Sequence, residues 1–135
     1  MLNIKNETNF LIDKKLITAC VKETLKIKKS DSSLIVVFVA SDKMRQINNN
    51  YNKQDKATDV LSFNSEEEGY LGEIVVCPEF INKKFVKYEW ELCHSVVHGT
   101  FHLLNIHHED EKSYKKIHKT EQKIIDKIFT SLKLK

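Results

Sequence analysis

Neutral imidazole is a common metal ligand near neutral pH, and five of this chain's six histidines fall within residues 94–108. The stretch reads His94-Ser-Val-Val-His98-Gly-Thr-Phe-His102-Leu-Leu-Asn-Ile-His107-His108. On a helix, residues four apart differ by about 40° around the axis and roughly 6 Å along it, so their side chains can converge on one ion. His94/His98 and His98/His102 are two such pairs. His94 and His102 cannot share an ion, because they stand about 12 Å apart along the axis, whereas zinc–nitrogen bonds are about 2.1 Å long.

A third ligand selects the pair. A helix continued past His102 carries His108 about 9 Å further on and well around the axis, out of reach. The chain must therefore turn, and Asn105 tolerates the left-handed conformation that ends many helices. A reversal there folds residues 106–108 back toward the helix and points to His98, His102 and His108, in the pattern His-x3-His-x5-His. Spacing alone barely separates His107 from His108. Three imidazoles leave the fourth zinc position open to water, the arrangement of a catalytic site. The competing structural reading of His98 and His102 is a half-buried, hydrogen-bonded pair. For His94 an orienting or packing role is favoured over ligation, and His118, between Ile117 and Lys119, reads as surface or packing.

Metalloproteases with a His-Glu-x-x-His helix carry a glutamate directly after the first histidine as general base. Here that position is Gly99, so peptide hydrolysis by that route is disfavoured. Glycine costs a helix about 1 kcal/mol, which points to something packed closely against the backbone at residue 99.

The elements that must position these residues follow from periodicity. A short strand is expected at about 2–5. Leu16, Ile17, Cys20, Val21 and Leu25 predict an amphipathic helix over 13–28 with Asp13 as cap. Leu34–Ala40 is apolar on both faces, as in a central strand. Ser41 is expected to cap a helix through about Asn50. Strands are predicted at 59–64 and 71–77, joined by an acidic loop, and Pro78 suits the start of a helix. Helices over about 78–87, 89–104 and 111–132 complete the chain, the last with Tyr114, Ile117, Ile124, Ile128 and Leu132 on one stripe. The order β-α-β-α-β-β-α-α-α predicts an α+β fold: a small mixed β-sheet packed with helices, the metal site lying at the end of a central helix.

At 135 residues, one domain over 1–135 is expected. Hydrophobic content is 41% and charged content 30%, ordinary for a soluble protein. No apolar run approaches the roughly 20 residues of a membrane span, and the first ten residues lack a secretory pattern. A cytoplasmic location with no membrane partner is the expectation. The three cysteines lack Cys-x-x-Cys spacing, which disfavours a disulfide framework and a thiolate zinc site. A net charge of +3, with Arg45 the single arginine, permits an acidic partner without requiring one.

The segment His98-Gly-Thr-Phe-His102-Leu-Leu-Asn-Ile-His107-His108 resembles the signature of the YbeY family of zinc-dependent endoribonucleases, approximately His-Gly-x-Leu-His-Leu-x-Gly-Tyr-Asp-His. A second family block, Thr-Asp-Val-Leu-Ser-Phe, is intact as residues 58–63, and Leu71-Gly-Glu-Ile-Val-Val-Cys77 resembles the strand after it. The resemblance implies one zinc ion on His98, His102 and His108, and so favours His108 over His107. It also implies that the second block lines the cleft, with Asp59 and Ser62 as candidates for orienting a ligand or substrate. The activity implied is single-strand-specific cleavage of ribosomal RNA, in 16S 3′-end processing and ribosome maturation, with ribosomal RNA and ribosomal particles or proteins as partners. Zinc would activate water and polarise a phosphoryl oxygen. Two departures stand out. Asn105-Ile106-His107 replaces Gly-Tyr-Asp, and Tyr51-Asn52 stands where the family has Tyr-Arg. Loss of that guanidinium removes a bidentate phosphate partner, for which Lys53 or Lys56 supplies charge but not the fork. That loss motivates an alternative, a zinc-containing ribosome-assembly or RNA-binding factor that does not cleave. A metal-dependent hydrolase of a small substrate is a third reading, supported only by the open zinc position.

Overall fold

A strand buried on both faces requires a layer of helix on each side. In β2 (Ser33–Phe38), Leu34, Val36 and Phe38 belong to one hydrophobic cluster, while Val37 and the following Val39 belong to another. The computed structural model describes residues 2–107 and 109–133; His108, the expected third ligand, lies outside them. The described elements are β1 (Leu2–Asn6), α1 (Lys14–Leu25, extended by a 3-10 turn), β2, α2 (Ser41–Asn52), β3 (Val60–Asn64), β4 (Tyr70–Val76), α3 (Pro78–Lys84), α4 (Tyr88–Leu103) and α5 (Glu111–Lys133). The sheet order is β1-β2-β4-β3. β1, β2 and β4 run parallel, and β3 pairs antiparallel with β4 in the register Ser62↔Ile74. The expected α+β class with a small mixed sheet is the observed one.

One face of the sheet presents Leu34, Val36, Phe38, Ile74 and Val76 to α1, α4 and α5, whose Ile17, Val21, Val96, Phe101 and Ile125 complete the main core. The other presents Val37 and Val75 to Met44 of α2. α4 is the central helix. Its buried residues include Leu92, Cys93, Val96, Val97, Thr100, Phe101 and Leu103, so its polar histidines are confined to the remaining stripe. Cys20, Cys77 and Cys93 are buried free thiols. Among the described residues, no helix is long and apolar enough to cross a membrane.

Asp13 caps α1 as expected, its side chain accepting from Lys15 and Leu16 N–H. Three local expectations need correction. Ser41 is not the cap of α2: the helix begins at Ser41 after Ala40, and the Ser41 N–H donates to Glu79 Oε1 of α3 at 3.0 Å, so a tertiary carboxylate does what a local hydroxyl was expected to do. α3 ends at Lys84, where Phe85 turns extended, rather than near 87. The buried face of α5 centres on Glu121, Ile125 and Ile128, while Tyr114 is 50% and Leu132 36% exposed. Ile117, Ile124 and Ile128 do face the core as expected, and the stripe also takes in a carboxylate that counting apolar residues skips.

Candidate metal centre

The position of α4 on the sheet is set by close approach. A Cβ added to Gly99 would lie 2.7 Å from Ile74 Cγ2 and 3.2 Å from Ser62 Oγ, so glycine lets the helix settle onto β3 and β4, as the sequence suggested. Residues 60, 62 and 64 share one face of β3. Ser62 Oγ donates to the Gly99 carbonyl at 3.3 Å and Asn64 Nδ2 to the Leu103 carbonyl at 3.0 Å, while Val60 packs on the main core. The strand from the second family block thus grips the histidine helix by its backbone.

α4 ends in a Schellman motif. Ile106 N–H donates to the Phe101 carbonyl and Asn105 N–H to that of His102, with Asn105 left-handed at φ 61°. Ile106 then packs against the main core. The chain reverses as expected, and His107 is carried back to His102, their ring centroids 4.9 Å apart.

Along α4 the imidazoles form a row. His94 stacks on Trp90, His98 lies 5.9 Å from His94, and His102 lies 4.4 Å from His98. Behind the row stands Glu121 of α5, its side chain only 3% exposed. Its Oε2 lies 2.8 Å from His98 Nδ1 and its Oε1 3.0 Å from His94 Nε2. Burial pushes the Glu121 carboxyl up, but the hydrogen bonds and charges of His94 and His98 outweigh it and hold the group down at about 2. For His94, burial works against the imidazolium, and the bond to Glu121 and the charges of Glu121, Glu91 and Asp59 raise it above its ordinary value. Both shifts describe one buried, ionised carboxylate held by two rings.

Glu121 is the residue that sequence reasoning missed. The available signal was a carboxylate in line with Ile117, Ile125 and Ile128 at helical spacing, where an apolar residue is the rule. His118, read as surface or packing, is half-exposed, stacks on Tyr114 and places Nδ1 3.7 Å from Glu121 Oε1.

The other expected residues are more dispersed. Asp59 Oδ1 accepts from its neighbours Val60 N–H and Thr58 Oγ1, and its charge reaches His94. Ser62 is tied to Gly99, one residue from His98. Asn52, which the resemblance sets against a family arginine, donates to Asn48, which in turn donates to the Lys56 carbonyl. Arg45 makes a two-pronged pair with Asp55 at 2.7 and 3.1 Å, so the single guanidinium braces the loop after α2.

Two groups can be weighed for a metal. His94, His118 and Glu121 each offer a ligand atom, all within 4.8 Å of one another, and could hold an ion. The His98–His102 pair, with the reversed chain beside it, offers imidazole nitrogens of the kind zinc accepts. His98 Nδ1 is already held by Glu121, which leaves its other ring nitrogen as the one available to an ion, whereas an ion on the first group would compete with the His94–Glu121 bond.

Comparison with known proteins bears on the family and the fold. Residues 3–129 match the family model described as Endoribonuclease YbeY. The Endoribonuclease YbeY of Buchnera aphidicola subsp. Schizaphis graminum is 34% identical over 133 residues, covering 91% of this chain and 83% of that protein. That of Thermotoga maritima is 31% identical, covering 81% of this chain and 76% of its own. The solution structure of TM1509 from Thermotoga maritima superposes with a TM-score of 0.70 at 29% identity, over 98% of this chain and 92% of that one.

Proposed function

Because the chain belongs to the Endoribonuclease YbeY family, we propose that residues 1–135 form one metal-dependent hydrolase domain that cuts single-stranded ribosomal RNA in the cytoplasm, during 16S 3′-end processing and ribosome maturation. The observation that carries this reading is the His98–His102 pair one helical turn apart, with the chain reversed at Asn105 so that His107 returns to the pair. His98, His102 and His108 would hold one zinc ion. The chemistry such an ion supplies is polarisation of a phosphoryl oxygen and activation of water near neutral pH.

The chain's own residues do the rest. Gly99 and Ser62 fix the height of α4 over the sheet, and the Asn64 bond to Leu103 steadies the last turn before the reversal. Asp59 and Ser62 border the histidine helix and remain the candidates for orienting substrate. Lys53 and Lys56, both exposed, attract the RNA backbone in a manner that weakens with salt.

A second reading is a zinc-containing assembly factor that binds ribosomal RNA or particles without cutting. One specific observation favours it: Asn52 replaces the family arginine, and Arg45 is engaged by Asp55. The test is incubation of purified protein with single-stranded RNA, with and without chelator, beside the His98→Ala/His102→Ala double variant. Cleavage abolished by chelator and by the double variant supports the nuclease. Cleavage that persists unchanged in the double variant removes it, and ribosomal particles bound without any cleavage favour the second reading.

A further inference from the structure

We propose that Glu121 is a positioning residue which fixes His98 and His94 in opposite tautomers, presenting Nε2 of His98 to a metal and withholding Nε2 of His94. This rests on the reading above that His98 and His102 hold the ion.

The geometry supplies the argument. An ionised carboxylate only accepts hydrogen bonds, and a neutral imidazole carries its hydrogen on one nitrogen. Glu121 Oε2 is 2.8 Å from Nδ1 of His98, so Nδ1 carries the hydrogen and Nε2 the lone pair. The same carboxylate meets His94 through the other nitrogen, Nε2, at 3.0 Å. There Nε2 carries the hydrogen, and the lone pair is left on Nδ1, which lies 3.7 Å from Glu91 Oε2.

This resolves an ambiguity built into α4. Residues 94, 98 and 102 give two i,i+4 pairs of equal spacing, and helical geometry prefers neither. One buried side chain from α5 breaks the tie: Nε2 of His94 is taken up as a donor to Glu121, whereas Nε2 of His98 is left with its lone pair. Both Glu121 oxygens are engaged, and His118 Nδ1, at 3.7 Å, is too far for a hydrogen bond. Carboxylate–histidine–metal relays of this kind raise the basicity of the ligand and fix the ring.

The test uses the full chain, labelled with 15N-histidine. In metal-free protein, long-range proton–nitrogen spectra should show His98 as the Nδ1–H tautomer and His94 with a hydrogen on Nε2. His98 found as Nε2–H overturns the proposal, whatever any variant does. Zinc affinity, measured by chelator competition, should fall about 10–100-fold in Glu121→Gln, because one amide oxygen cannot accept from both rings. Affinity equal to wild type overturns this proposal alone. A cobalt-substituted wild-type spectrum that changes coordination number in Glu121→Gln also overturns it, by making Glu121 a ligand. Wild-type protein that takes up no zinc overturns both this proposal and the metal reading beneath it.

Discussion

Gly99 and Ile74 approach so closely that a methyl group on residue 99 would stand 2.7 Å from Ile74 Cγ2. Cγ2 is fixed to a β-branched carbon on an inner strand and has little freedom to move. Gly99→Ala should therefore lose more by overpacking, typically 1–3 kcal/mol, than the roughly 1 kcal/mol it gains in helix propensity. Urea denaturation should show a net destabilisation on the order of 1 kcal/mol. The same change in an Ile74→Ala background should be neutral or stabilising, because the obstructing atom is gone; equal costs in both backgrounds would contradict the packing account.

Metal content discriminates the two histidine groups. The purified protein should carry about one zinc, and His98→Ala, His102→Ala and His108→Ala should each lose it. His107→Ala and His118→Ala should retain it. Zinc kept by His108→Ala but lost by His107→Ala would exchange the roles of those neighbours, and loss in His118→Ala would move the ion to the group with His94 and Glu121. Because ligand imidazoles must be unprotonated, occupancy should fall as pH drops below about 6.

Restoring the family's side chain at residue 52 tests what its absence does. Asn52→Arg gives up one hydrogen bond, to Asn48, at a cost of about 1 kcal/mol. It should strengthen binding to single-stranded RNA and steepen the salt dependence by about one charge. Filter binding across a salt series reads both. An unchanged slope would mean that position 52 does not face the RNA backbone.

Glu79 ties α3 to the start of α2. Its carboxyl lies below its ordinary value of 4.5, chiefly through the Ser41 N–H bond, with Lys83 adding a smaller effect. A carboxyl depressed in the folded state contributes stability above its unfolded value and loses that contribution as pH falls through the folded one. Wild type should therefore melt on the order of 2 °C above Glu79→Gln at pH 7, the effect being small because the pair is solvent-exposed. The gap should narrow as pH falls below 4.5 and close once the folded carboxyl is protonated. A gap independent of pH would show that shape rather than charge does the capping.

The scaffold was legible where periodicity and chemistry coincide. β2, apolar on both faces, announced its two-sided burial, Asp13 its cap, and Asn105 the left-handed reversal that brings the chain back to His102. The failures share one cause. Ser41 is capped by Glu79, 38 residues away, and Glu121 meets His98 across 23 residues; neither partner can be read from local spacing. A buried glutamate on α5 looks polar in sequence and is core in space, so the stripe drawn through apolar residues alone passed over it.

The bond between Glu121 and His98 also orders events in time. α4 carries the imidazoles, but their carboxylate belongs to the last helix, which follows the sheet and α4 in the chain. A chain cut short of residue 121 would lack the carboxylate that holds His94 and His98. Under the proposed zinc site, the choice between the two histidine pairs would therefore wait on the docking of α5.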